Sequence, residues 1–103
     1  MIKVHIDRNY YGIQIIVSGH ANYAEKGHDI ICAGVSVLSD TLCNMANGIE
    51  SECVVIQPME GFTHVFIKGP ESERTAGILD TIITGYQMIA EAYPDYVQIE
   101  YKE

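Results

Sequence analysis

The chain has 103 residues, 48% of them hydrophobic, which suits one domain over residues 1–103 with a real core and excludes a disordered chain. Fourteen Asp and Glu against six Lys and Arg give a formal charge of −8, a field that repels phosphates and excludes nucleic-acid binding by phosphate neutralisation, leaving a basic partner or plain solubility as its use. Three cysteines with no C-x-x-C pair match no structural zinc set, and no apolar run is long enough for a signal peptide or a bilayer span, so the expectation is a cytoplasmic protein with free thiols, no membrane contact, no metal and no cofactor.

Ile2, Val4 and Ile6 alternate with Lys3, His5 and Asp7, the pattern of a strand with one apolar face. Asn9-Tyr10-Tyr11-Gly12 is a turn signal, and Ile13, Ile15 and Val17 alternate again, so the chain opens with a hairpin. Residues 19–28 lack periodicity and carry Gly19, Asn22, Glu25, Lys26 and Gly27, which reads as a long loop of the kind that carries function. From Asp29, a good helix cap, Ile31, Val35, Leu38, Leu42, Met45 and Ile49 recur at helical steps up to Gly48. A strand at 53–57, a turn at Pro58-Met59-Glu60-Gly61 and a strand from Phe62 to Ile67 follow.

Pro70 is expected to open a second helix, with Ile78, Leu79, Ile82, Ile83, Tyr86, Ile89 and Tyr93 on its buried face and Pro94 as its stop. Gly77 and Gly85 in that helix mean either close packing or simple tolerance. Val97, Ile99 and Tyr101 make a last strand. The order β-β-α-β-β-α-β predicts an α/β chain of the α+β type: a mostly antiparallel sheet with two helices packed on one face.

Chemistry concentrates at the loop-to-helix junction. Cys32 falls in the first helical turn, where the aligned peptide dipoles favour a thiolate and unpaired N–H groups can hold an oxyanion. His20, in the loop, can take the thiol proton and return it to a leaving amine if the loop folds back. Ile30 and Ile31 are expected to pack the helix and aim Cys32 away from the core. His28 sits too close in sequence to reach over Cys32 with ease, so His20 is the preferred base. His5 and His64 lie on strand faces, and Cys43 and Cys53 read as packing residues. Tyr10, Tyr11, Tyr23, Tyr93 and Tyr96 suit either an aromatic-peptide groove or ordinary packing.

The segment GHANYAEKGHDIICAGVSVLSDTL, with its Gly-His-Ala loop, Gly-x-Asp and Cys-Ala-x-Val-Ser helix start, resembles the signature of the ribosomal-processing cysteine proteases, the Prp family. The resemblance implies a small cytoplasmic α/β protein, usually a homodimer, whose Cys-His dyad removes an N-terminal extension from large-subunit ribosomal protein twenty-seven after a hydrophobic motif ending in paired phenylalanines. Carried onto this chain, it makes His20 the general base and Cys32 the nucleophile, with Gly19, Asp29 and Ser36 on the family's other recurring positions. Gly34, where many relatives carry alanine, departs mildly. Asp29 caps the helix, orients His20 or meets a basic substrate group; Ser36 bonds to the thiol, to the bound peptide or back to its own helix. Two alternatives stand beside the protease: a non-catalytic ribosome-associated binding module, and a metal site from His20, His28 and Cys32, weak because it lacks a close-spaced ligand pair.

Overall fold

The computed structural model describes residues 1–25, 27–49 and 51–102, so Lys26 of the predicted loop lies outside them. Strands β1 (Ile2–Asn9) and β2 (Gly12–Gly19) form the opening hairpin, with Val4 opposite Val17. Helix α1 (Ile30–Ala46) follows, then the hairpin of β3 (Cys53–Ile56) and β4 (Phe62–Lys68), helix α2 (Glu73–Ala92) and β5 (Val97–Tyr101). The spatial order is β3-β4-β2-β1-β5. Three neighbouring pairs are antiparallel and β1–β5 is parallel, so the sheet is mixed: a strand returning through a helix comes back in the same sense as its partner.

Period-two patterning decides which face is buried. Ile2, Val4, Ile6, Ile13, Ile15, Val17, Val65, Ile67 and Val97 all point to one side and are buried there. Ile31, Val35, Leu42 and Ala46 of α1 and Leu79, Ile82, Ile83 and Tyr86 of α2 meet them. Both helices pack on this face and on each other, α1 toward β3 and β4 and α2 toward β5. The opposite face, with Ile16, Val54, Ile56 and Phe66, has no helix over it.

Helix α2 starts later than Pro70 suggests. Ser72 caps it, its Oγ accepting from Thr75 N–H at 3.1 Å, and Glu73 is the first helical residue. The buried Tyr86 hydroxyl meets Ser39 Oγ at 2.9 Å across the helix pair, and burial pushes that phenol up to about 12. The two helical glycines differ. A Cβ on Gly85 would reach within 2.6 Å of Leu38 Cδ2, so α1 and α2 meet closely there, whereas one on Gly77 would meet nothing within 4 Å.

Candidate active site

Asp29 is where loop, helix and sheet chemistry converge. Its backbone is extended (φ −85°, ψ 95°), and Oδ1 accepts from Ile31 N–H at 3.1 Å and Cys32 N–H at 2.9 Å. Oδ2 accepts from Tyr23 N–H at 3.1 Å. One carboxylate thus opens α1 and ties the loop to it. These bonds, that to Cys32 foremost, hold its carboxyl below the usual carboxylate range. The capping reading of Asp29 is the one the geometry realises.

Cys32 is half-buried in the first turn, packed on one side against the core and open on the other. Ala21 N–H donates to its Sγ at 3.4 Å, which draws the loop over the helix end. The expectation of a thiol lowered by the helix terminus is overturned. Burial pushes the thiol up, the Ala21 N–H only partly offsets this, and the Asp29 carboxylate pushes it further up by hydrogen bond and by charge. Burial is the leading cause, and the cap adds to it. The N–H groups of Ile31 and Cys32 already serve Asp29, so they neither stabilise a thiolate nor remain available for an oxyanion hole. Ile30 also departs from expectation: it is 59% exposed, while Ile31 packs the core at 1%.

His20 is positioned by two backbone strands of contact. Gly19 N–H donates to Gly61 O at 3.0 Å, joining the end of β2 to the β3–β4 turn. The imidazole lies across Gly61: a Cβ there would come within 2.7 Å of both Cε1 and Nε2, and the backbone sits at φ +84°. Gly19 has φ +96°, and a side chain on it would collide with the Met1 carbonyl oxygen. Sequence reasoning saw only a turn at Gly61. Its signal, a glycine closing a hairpin turn, says nothing of a ring packed on it from a distant loop.

Two clefts meet at Cys32. The smaller, about 190 Å³, runs between α1 and the β3–β4 turn; the larger, about 690 Å³, lies under the loop. His20, Cys32 and Ser36 line both, whereas His28 lines only the larger. Ser36 is exposed one turn beyond Cys32, and the back-bonding weighed for it is made by Ser39, whose Oγ donates to Val35 O at 2.8 Å. A half-buried thiol that shares both its clefts with His20, with a main-chain donor at the sulfur, is equipped for nucleophilic attack on a peptide carbonyl.

The family model of cysteine protease Prp matches residues 1–98. The chain belongs to the Prp family of cysteine proteases. A ribosomal processing cysteine protease Prp from Staphylococcus aureus is 33% identical over 106 aligned residues, which cover 99% of this chain and 100% of the relative. A crystal structure of the Staphylococcus aureus protein, described as an essential ribosomal processing protease Prp with a covalently linked product peptide, matches with a TM-score of 0.83 at 29% identity over 99% of this chain and 100% of that one. Another, with a substrate peptide, matches with a TM-score of 0.74 at 27% identity over 99% and 100%. The enzyme class is therefore cysteine protease, of a family involved in ribosomal processing.

Of the other residues singled out in the sequence, His5, His64, Cys43 and Cys53 fall outside the junction. His5 Nδ1 lies 4.0 Å from Glu100, and His64 Nε2 meets Gln14 Oε1 at 2.9 Å, both in the sheet. Cys43 is buried, and Cys53 Sγ donates to Ala46 O at 3.2 Å. Of the tyrosines, Tyr23 packs edge-on against Tyr93 and Tyr96 with centroids 5.9 and 5.3 Å apart, which fastens the loop to the end of α2. Tyr10 and Tyr11 sit in the first hairpin turn, away from both clefts. Among the described residues no group of three or more His, Cys, Asp or Glu could hold a metal ion, so His20, His28 and Cys32 do not make the weighed metal site. No described helix is long and apolar enough to cross a membrane.

Proposed function

We propose that this protein is an endopeptidase that removes the N-terminal extension of large-subunit ribosomal protein twenty-seven, with Cys32 as nucleophile and His20 as general base. The observation that carries this reading is that both clefts meeting at Cys32 are also lined by His20, with the loop amide of Ala21 at the sulfur. The Staphylococcus aureus structures with a product and a substrate peptide support a peptide in those clefts. The chain's −8 charge suits a basic ribosomal protein.

Burial and then the Asp29 carboxylate push the thiol up, which favours its neutral form, so in this reading catalysis begins with proton transfer. His20 takes the Sγ proton as the sulfur adds to the scissile carbonyl, forming a C–S bond and an oxyanion. The Ala21 N–H, already directed at the sulfur, is the donor best placed to turn to that oxyanion. Collapse breaks the C–N bond, and the imidazolium returns the proton to the leaving amine. Water, deprotonated by His20, then hydrolyses the thioester and frees the sulfur. Asp29 and Gly19 support the pair by fixing the helix start and the loop; Ser36 faces the bound peptide.

The protein is further read as a cytoplasmic homodimer that uses neither metal nor cofactor and touches no nucleic acid directly. His20→Ala is expected to lower kcat/KM by about 10²–10⁴-fold. Cys32→Ala abolishes turnover while retaining peptide binding, measured by fluorescence anisotropy with a labelled extension peptide. Full activity in a His20 variant together with a dead His28 variant would move the base to His28.

A further inference from the structure

The two clefts that meet at Cys32 differ in chemistry. The larger is walled by Ala24, Ile30 and Ala33, among others. The smaller follows α1 from Cys32 past Ser36 to Asp40, residues one turn apart on a single helical face. Its facing wall is the β3–β4 turn from Gln57 to Gly61. At the far end Gln57 Nε2 donates to Asp40 Oδ1 at 3.2 Å and to Thr63 Oγ1 at 3.0 Å, and Thr63 is only 6% exposed. The carboxamide is thus braced from the core and bonded to the exposed Asp40 carboxylate, which lines this cleft; Glu60 is the other carboxylate in the lining and also lines the larger cleft. A carboxylate accepts up to about four hydrogen bonds, so the one from Gln57 leaves capacity for a cationic group. Among the described residues the cleft lining includes no Lys or Arg to fill it.

Distance fixes which part of a peptide would meet this carboxylate. Asp40 lies eight helical steps beyond Cys32, a rise of about 12 Å at ~1.5 Å each. An extended peptide covers the same span in roughly three to four residues at ~3.3 Å each. We propose that Asp40, braced by Gln57, is a specificity-determining residue that receives a lysine or arginine side chain of the peptide, three or four residues from the scissile bond. The assignment rests on the reading of Cys32 as the nucleophile that fixes where the bond lies. It accounts for a preference between peptides that the dyad alone cannot make, because the dyad touches only the reacting carbonyl.

The test uses synthetic peptides copying the extension junction of ribosomal protein twenty-seven, with lysine or glutamate placed in turn three and four residues to either side of the bond. Cleavage is measured with the wild type, Asp40→Asn and Asp40→Lys, and binding with the same changes on a Cys32→Ala background. At one position lysine should be favoured over glutamate by about fivefold in the wild type. The preference should vanish in Asp40→Asn and reverse in Asp40→Lys, with the change carried by KM and by the dissociation constant. Cleavage with the same lysine-to-glutamate ratio in all three proteins overturns the proposal and leaves the protease reading intact. If no protein cleaves any peptide, the protease reading fails, and the binding series alone decides: an Asp40-dependent lysine preference upholds the subsite, and equal affinities refute it.

Discussion

Burial, together with a carboxylate three residues before the sulfur, sets the state of this site. Asp29 takes the two N–H groups that would otherwise stabilise a thiolate, and its own charge opposes a second anion beside it. A raised thiol pKa means that at pH 7 less of Cys32 is thiolate than of a free cysteine. Alkylation by iodoacetamide should therefore be slow at neutral pH and rise with pH through and beyond the ordinary thiol value of 9.0. Asp29→Asn should move that rise to lower pH. A rate already on its plateau at pH 7 would mean a preformed thiolate and contradict the neutral-thiol mechanism. The helix cap at Asp29 and the placing of His20 and Cys32 at one loop-to-helix junction are legible in the sequence because the three lie within one short local motif. The direction of the thiol shift was not, because it depends on which acceptor the helix end meets after folding. Gly61 was illegible for the same reason: only the fold brings a turn glycine under the ring of His20.

Periodicity in the sequence predicts the type and order of both helices and all five strands among the described residues, though not every boundary. The parallel β1–β5 pair is not encoded locally, since alternation along a strand is silent about its partner's direction. Pro70 misled because a proline tolerated at a helix start is equally tolerated in the turn before it, and Ser72 supplies the actual cap. The helical glycines, which sequence could not tell apart, now predict opposite signs. Gly77→Ala, in open space, should stabilise by about 0.4–1 kcal/mol. Gly85→Ala, against Leu38, should destabilise by about 1–3 kcal/mol if Leu38 is forced from its rotamer. Urea denaturation of both variants checks this, and equal shifts would mean that α1 and α2 are not closely apposed at Gly85.

At the scale of the molecule, the sheet divides the labour. One face builds the core and fixes the ends of β2, α1 and the β3–β4 turn, and the site forms where those ends meet. The other face leaves Val54 53%, Ile56 43% and Phe66 37% exposed on neighbouring strands, an apolar stripe suited to the proposed homodimer. The wild type should sediment as a dimer and Phe66→Asp as a monomer; a wild-type monomer, or an unaltered dimer in the variant, would place the contact elsewhere or remove it. The central claim remains that Cys32 cuts a ribosomal protein. Full-length ribosomal protein twenty-seven from the same organism, mixed with the enzyme and followed by intact mass spectrometry, tests it most directly. The wild type should give two fragments and a transient acyl adduct on Cys32, and Cys32→Ala neither. Cleavage undiminished in Cys32→Ala would contradict it.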